Sequence, residues 1–318
     1  MISLIVPIKD IAVAFLSCIW GKPNMDRSGA ADIPRELLWI NDAPIFIDAL
    51  NVARFYDAAV RPPFDEASPI KLKITDTTKK DLEAKFGLKA SVGLANWLTA
   101  IASSSAEVNA EGKGVRSTTS GSESEILLAP ISTPHRQLVQ LAIFYLLERR
   151  QQLLFGDPGG VLEWQRTGAT LSVPRPLAFI DLPKGTKFIP MAVEFTNGKV
   201  VTLFDRLLAD SGERPPPYEN EKKADYWRWL STNFNQERAL GVLESAATEN
   251  GTRIEWIDFR VPLNDLVNTM HLHIEVAGQY SAGTFAYRMI RRGFGHGMRV
   301  VGALRDGPDV NVLGMYEK

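Results

Sequence analysis

A single cysteine, Cys18, stands among 318 residues. One thiol closes no internal disulfide and builds no cysteine-based zinc site, so neither kind of staple holds the fold. Long apolar runs are missing as well. The most apolar early stretch, Met1 to Trp20, is divided by Lys9 and Asp10, which leaves pieces shorter than the roughly 20 residues that span a bilayer. Met1 to Pro7 carries no basic side chain, and the run from Ile11 to Leu16 ahead of Cys18 is brief, so the stretch is not expected to be a secretory leader. The expectation is a soluble, cytoplasmic protein with no membrane contact, its N-terminal stretch a buried strand or helix. An excess of either charge is also absent. Thirty-six basic against 37 acidic residues give a net charge of -1, and such a chain has no global field to draw in nucleic acid or an anionic surface.

Sequence signatures of catalysis are equally scarce. There is no Gly-x-Gly-x-x-Gly fingerprint and no Gly-x-Ser-x-Gly elbow, and Gly112-Lys113-Gly114 lacks the spacing of a phosphate-binding loop. Asp181, Glu194 and Lys199 lie on or beside expected strands. They match the acid–acid–lysine pattern of a magnesium nuclease poorly, because Asn197-Gly198 separates the last two.

What is present is an ordinary globular composition, with 45% hydrophobic and 23% charged residues, long enough for about two domains. The expected class is α+β: a small, mainly helical N-terminal domain (1–102), a Ser/Gly/Glu-rich linker (103–128), and a larger C-terminal domain (129–318). The larger domain is expected to hold a mostly antiparallel sheet flanked by helices. Helical spacing covers 43–60, 79–86 and a segment from Ser91. The linker has only Val108 and Val115 as bulky apolar residues before Ile126, too few to offset the entropy of ordering it; an exposed hairpin is the alternative.

Thr133-Pro134 opens a helix expected to run to Phe155, since proline at the first helical position forfeits no hydrogen bond. Period-two alternation then predicts strands at 177–180, 188–195, 199–204, 253–261, 270–276, 298–304 and 310–315, with Asn197-Gly198 as a hairpin turn. Helices are expected near Trp227, over 237–248 and over 284–292. Pro215-Pro216-Pro217 reads as a rigid surface connection.

Two groups of residues carry chemistry. His271, His273 and Glu275 alternate with Met270, Leu272, Ile274 and Val276, so a strand puts the polar three on one face. With His296 they form a candidate divalent-metal set, weighed against a simple solvated face. The segment 281–305 holds Arg288, Arg291, Arg292, Arg299 and Arg305 and no acid. On a helix, Arg288, Arg291 and Arg292 would share a face. With His296 and Arg299 they make a candidate nucleic-acid or anion contact, and Gly293, Gly295 and Gly297 would let backbone donors approach an anion.

The resulting expectation is a non-catalytic binding or adaptor subunit that contacts a protein partner or a second copy of itself, and nucleic acid through the Arg-rich segment. An accessory component of a bacterial complex, of the phage-defence type, has this motif-poor character. The alternative is a metal-dependent hydrolase or nuclease on His271, His273 and His296.

Overall fold

Asp48 sets the first described helix. Its extended backbone leaves the strand β1 (Phe46–Ile47), and its carboxylate accepts the Asn51 backbone N–H at 3.0 Å, capping α1 (Ala49–Ala59). The helix therefore begins several residues later than apolar spacing alone suggests. In the computed structural model the described residues are 39–60, 70–75, 77, 80, 117–120, 123–128, 133–157, 159–160, 175–209, 216, 223–233, 235–251, 253–262, 269–305 and 309–318. The expectations for residues 1–38, for the helices at 79–86 (apart from Lys80) and from Ser91, and for most of the Pro215–Pro217 loop lie outside them.

Strands β2 (Ile70–Ile74), β3 (Ser117–Ser120) and β4 (Glu123–Leu128) make a three-stranded antiparallel sheet in the order β2-β4-β3. Within the stretch expected as a linker, Ser117–Ser120 and Glu123–Leu128 are antiparallel strand partners.

Pro134 starts α2 (Pro134–Glu148) as expected, but the helix does not reach Phe155. A 3-10 turn (Arg150–Gln152) follows, and Leu153 begins β5 (Leu153–Gly156). Leu146 and Leu153 are seven residues apart, a spacing that does not distinguish two helical turns from a helix followed by a strand.

The chain continues through β6 (Leu177–Leu182), β7 (Ile189–Phe195), β8 (Val200–Thr202), α3 (Leu203–Ala209), α4 (Lys223–Asn233) and α5 (Gln236–Asn250). Next come β9 (Ile254–Pro262), β10 (Thr269–Glu275), α6 (Ala282–Ala286) and a π-helix (Tyr287–Arg292), then α7 (Gly293–His296), β11 (Met298–Leu304) and β12 (Asp309–Glu317). Asn197-Gly198 does turn β7 into β8, with Gly198 at φ +80° donating to the Phe195 carbonyl at 2.8 Å. The strand expected through Phe204 stops at Thr202, because Leu203 and Phe204 bury their side chains from α3.

Among the described residues nine strands form one sheet in the order β5-β6-β11-β12-β10-β9-β7-β8, with β1 also on β12. The sheet is mixed rather than mostly antiparallel: β5 pairs with β6, and β10 with β12, in parallel. Both parallel pairs join strands separated by long connections, which sequence alternation cannot reveal.

The fold is thus α+β, with helices packed on a large mixed sheet. One face carries Ile257, Phe259, Met270, Leu272, Ile274, Val310 and Val312 into a core shared with α3, α5 and α6. The other packs Phe179, Val301, Leu313 and Tyr316 against α1 and α2, where Tyr56 donates to Gln140 Oε1 at 2.5 Å. Residues 39–60 are therefore built into this core. No helix among the described residues is long and apolar enough to cross a membrane.

Candidate functional site

Strand pairing lays out a polar grid on the sheet face that carries α1 and α2. Register places Glu194, Trp256 and Glu275 side by side on β7, β9 and β10. The next row holds Asp258, His273 and Asn311 on β9, β10 and β12, and the one beyond it Arg260, His271 and Asp309. Alternation is the cause: Ile257, Phe259 and Val261 face the apolar core, so Asp258 and Arg260 must face away from it. His271 and His273 are only 16% and 18% exposed, so this is a sheltered face rather than an open one.

The groups are tightly coupled. His273 Nδ1 lies 2.7 Å from Asp258 Oδ1, and His271 Nε2 lies 3.2 Å from the same oxygen. Since a carboxylate accepts, His273 carries a proton on Nδ1 and leaves Nε2 toward Glu275, 3.8 Å away. Burial alone would raise the Asp258 pKa, but the hydrogen bonds and charges of the two imidazoles outweigh it and hold the carboxyl well below the usual carboxylate range. His271 Nδ1 is 3.2 Å from Asp309 Oδ1 yet buried without a well-aligned hydrogen bond. Arg260 reaches the same Asp309 oxygen at 3.7 Å. The Trp256 indole donates to Glu194, and its ring lies 5.7 Å from that of His273.

Helix α1 borders this grid. Asn51 donates from Nδ2 to Glu275 at 2.9 Å and to Asp48 at 2.7 Å. Burial first, and then the charge of Glu275, raise the Asp48 pKa, while the hydrogen bonds from Asn51 oppose the shift.

The candidate metal set does not assemble with His296. Met298, just beyond it, pairs with Glu317, whereas His271 pairs with Asp309 at the opposite end of β12. Eight residues of strand separate the two positions by roughly 26 Å. His271, His273 and Glu275 do stand together, but Asp258 sits between the imidazoles as a shared acceptor. No group of three or more His, Cys, Asp or Glu side chains among the described residues is arranged to hold a metal ion.

The arginines also separate. Residues 287–292 form a π-helix, whose wider turn departs from the spacing that would stack Arg288, Arg291 and Arg292. Arg288 turns inward, donating to the Ile45 carbonyl at 3.1 Å with its guanidinium 5.1 Å from the Tyr280 ring centre. Arg291 and Arg292 stay outside, 56% and 43% exposed, paired with Glu237 at 3.8 Å and Glu317 at 2.7 Å. Arg299 lies across the sheet, 3.8 Å from Asp42 and over Trp39. His296 is exposed.

The glycines beside them serve packing. A side chain at Gly293 would meet Phe188 at 2.7 Å, and one at Gly297, φ +85°, would meet the Leu182 carbonyl at 2.7 Å. His135, in the first turn of α2, is tied inward, its Nε2 2.8 Å from the Ile40 carbonyl.

No sequence motif marks Asp258, Arg260, Asp309 or Asn311. The strand spacing of 253–261 was enough to place Asp258 and Arg260 on a polar face, but nothing local shows that this face meets the histidines of β10. Comparison with family models, with curated proteins and with solved structures returns no match to this chain.

Proposed function

We propose that the protein is a non-catalytic binding subunit that contacts single-stranded nucleic acid through Tyr287, Arg291 and Arg292, and acts beside a protein partner. The observation that carries this reading is an exposed aromatic ring set beside exposed guanidinium groups at the surface. Tyr287 is 50% exposed, and the Arg291 guanidinium lies 5.7 Å from its ring centre. Bases stack on such rings, while arginine forks match phosphate oxygens. The carboxylates now beside Arg291 and Arg292 are themselves exposed, and exposed ion pairs are worth about 0–1 kcal/mol, so a phosphate displaces them at little cost.

Arg288 and Arg299 belong to the fold under this reading, not to the contact. The partner is a protein or a second copy of the chain, as expected from the sequence, and a bacterial accessory complex of the phage-defence type remains the setting proposed for it. The hydrolase alternative loses its third histidine to the length of β12 and draws no support from the shared carboxylate of Asp258. Fluorescence anisotropy with a labelled single-stranded oligonucleotide tests the proposal. Binding should weaken in Arg291→Ala, Arg292→Ala and Tyr287→Ala while the melting temperature stays unchanged. Equal binding by all three variants would refute it.

A further inference from the structure

Beside the polar grid, α1 and the sheet border a half-open cavity of about 170 Å³. Phe55 and Leu313 form its walls, Ala303 and Asn311 its floor, and Arg54 and Arg175 its rim. Both arginines are exposed, and neither meets a carboxylate among the described residues. Among the described residues the Arg175 side chain makes one long contact, 3.5 Å, to the Leu304 carbonyl. The nearby acids are engaged elsewhere: Glu275 accepts from Asn51, and Asp309 faces Arg260 and His271.

The floor holds a second, independent sign of a ligand. Asn311 Oδ1 is buried and has no hydrogen-bond partner among the described residues. A buried acceptor left unpaired is costly, and a site that supplies its donor removes that cost. The strand neighbour of Asn311 on β10 is His273, so the imidazole held by Asp258 borders the same floor.

We propose that this cavity binds a small organic anion bearing a hydroxyl group, a hydroxy-carboxylate or a phosphate monoester. Its charge is met by Arg54 and Arg175, and its hydroxyl donates to Asn311 Oδ1. Size limits the class. Sites for drug-sized ligands occupy about 300–1,000 Å³, so this one is too small for a nucleotide and suits a group of a few heavy atoms. Arginine forks match carboxylate and phosphate alike.

Lactate and glycerol phosphate serve as the two probes, followed by the amide NMR signals of Ala303 and Asn311; glycerol is the uncharged control. Either probe should give saturable shifts in the millimolar range, and which one does so decides between carboxylate and phosphate. Glycerol should give none. Arg54→Glu, on an exposed turn of α1, should weaken binding about tenfold or more with an unchanged melting temperature. Arg175→Glu should do the same, so the test survives if one variant misfolds. Arg291→Ala and Arg292→Ala, on the opposite side of the sheet, should leave the shifts untouched, which separates this proposal from the nucleic-acid contact. Absence of saturable shifts with both probes, or undiminished binding in Arg54→Glu, would overturn it.

Discussion

His273 Nδ1 stands 2.7 Å from Asp258 Oδ1, directly across the antiparallel pairing of β9 and β10. One carboxylate oxygen serves both this imidazole and that of His271, so Asp258 ties two residues of β10 to the neighbouring strand.

This arrangement has a measurable pH dependence. The folded-state pKa of Asp258 is depressed, so its contribution to stability is fully present above the unfolded value of about 3.9 and is lost as pH falls toward the folded value. Asp258→Asn should cost about 1.5–3 kcal/mol at neutral pH, the range for hydrogen bonds to a charged group. Denaturant unfolding of both proteins should show that gap narrowing below about pH 4. A gap that is constant from pH 7 to 3 would mean that the carboxylate charge is not what holds the histidines.

Asp48 behaves in the opposite sense. Burial raises its pKa, so its charged form is the costly one, and acid relieves that cost rather than removing a stabilising charge. Asparagine caps a helix as well as aspartate does. Asp48→Asn should therefore match or exceed the wild-type stability at neutral pH, while Asp48→Ala should lose about 1 kcal/mol from the cap. Thermal melts of the two variants check the pair.

How far the sequence shows this site follows from what alternation can and cannot encode. Met270, Leu272, Ile274 and Val276 face the core and His271, His273 and Glu275 face away, as their order predicts. Asp258 alternates just as plainly with Ile257 and Phe259. Its meeting with His273 is a matter of strand register, which no local pattern specifies. The parallel pairing of β5 was hidden because Leu153 and Phe155 also fit a continued helix. The π-helix was hidden because Arg288, Arg291 and Arg292 fit an α-helical face equally well.

The division expected at residues 102 and 129 can be tested through packing. Trp39, Val52 and Tyr56 share a core with Leu138, Leu141 and Tyr145. A fragment of residues 129–318 lacks the first three, and should unfold without a cooperative transition or bind a hydrophobic dye. Within the full chain, Leu141 is wholly buried, and Leu141→Ala should cost about 2–5 kcal/mol. A fragment that melts as cooperatively as the whole chain would make residues 129–318 an independent domain.

The salt dependence of oligonucleotide binding tests the central claim most directly. For a contact made by Arg291 and Arg292, the logarithm of affinity should fall linearly with the logarithm of salt concentration. The double variant Arg291→Ala/Arg292→Ala should bind more weakly, with a slope shallower by about 2, one for each phosphate contact removed. Binding that is insensitive to salt, or a slope that is the same in the double variant, would contradict the account.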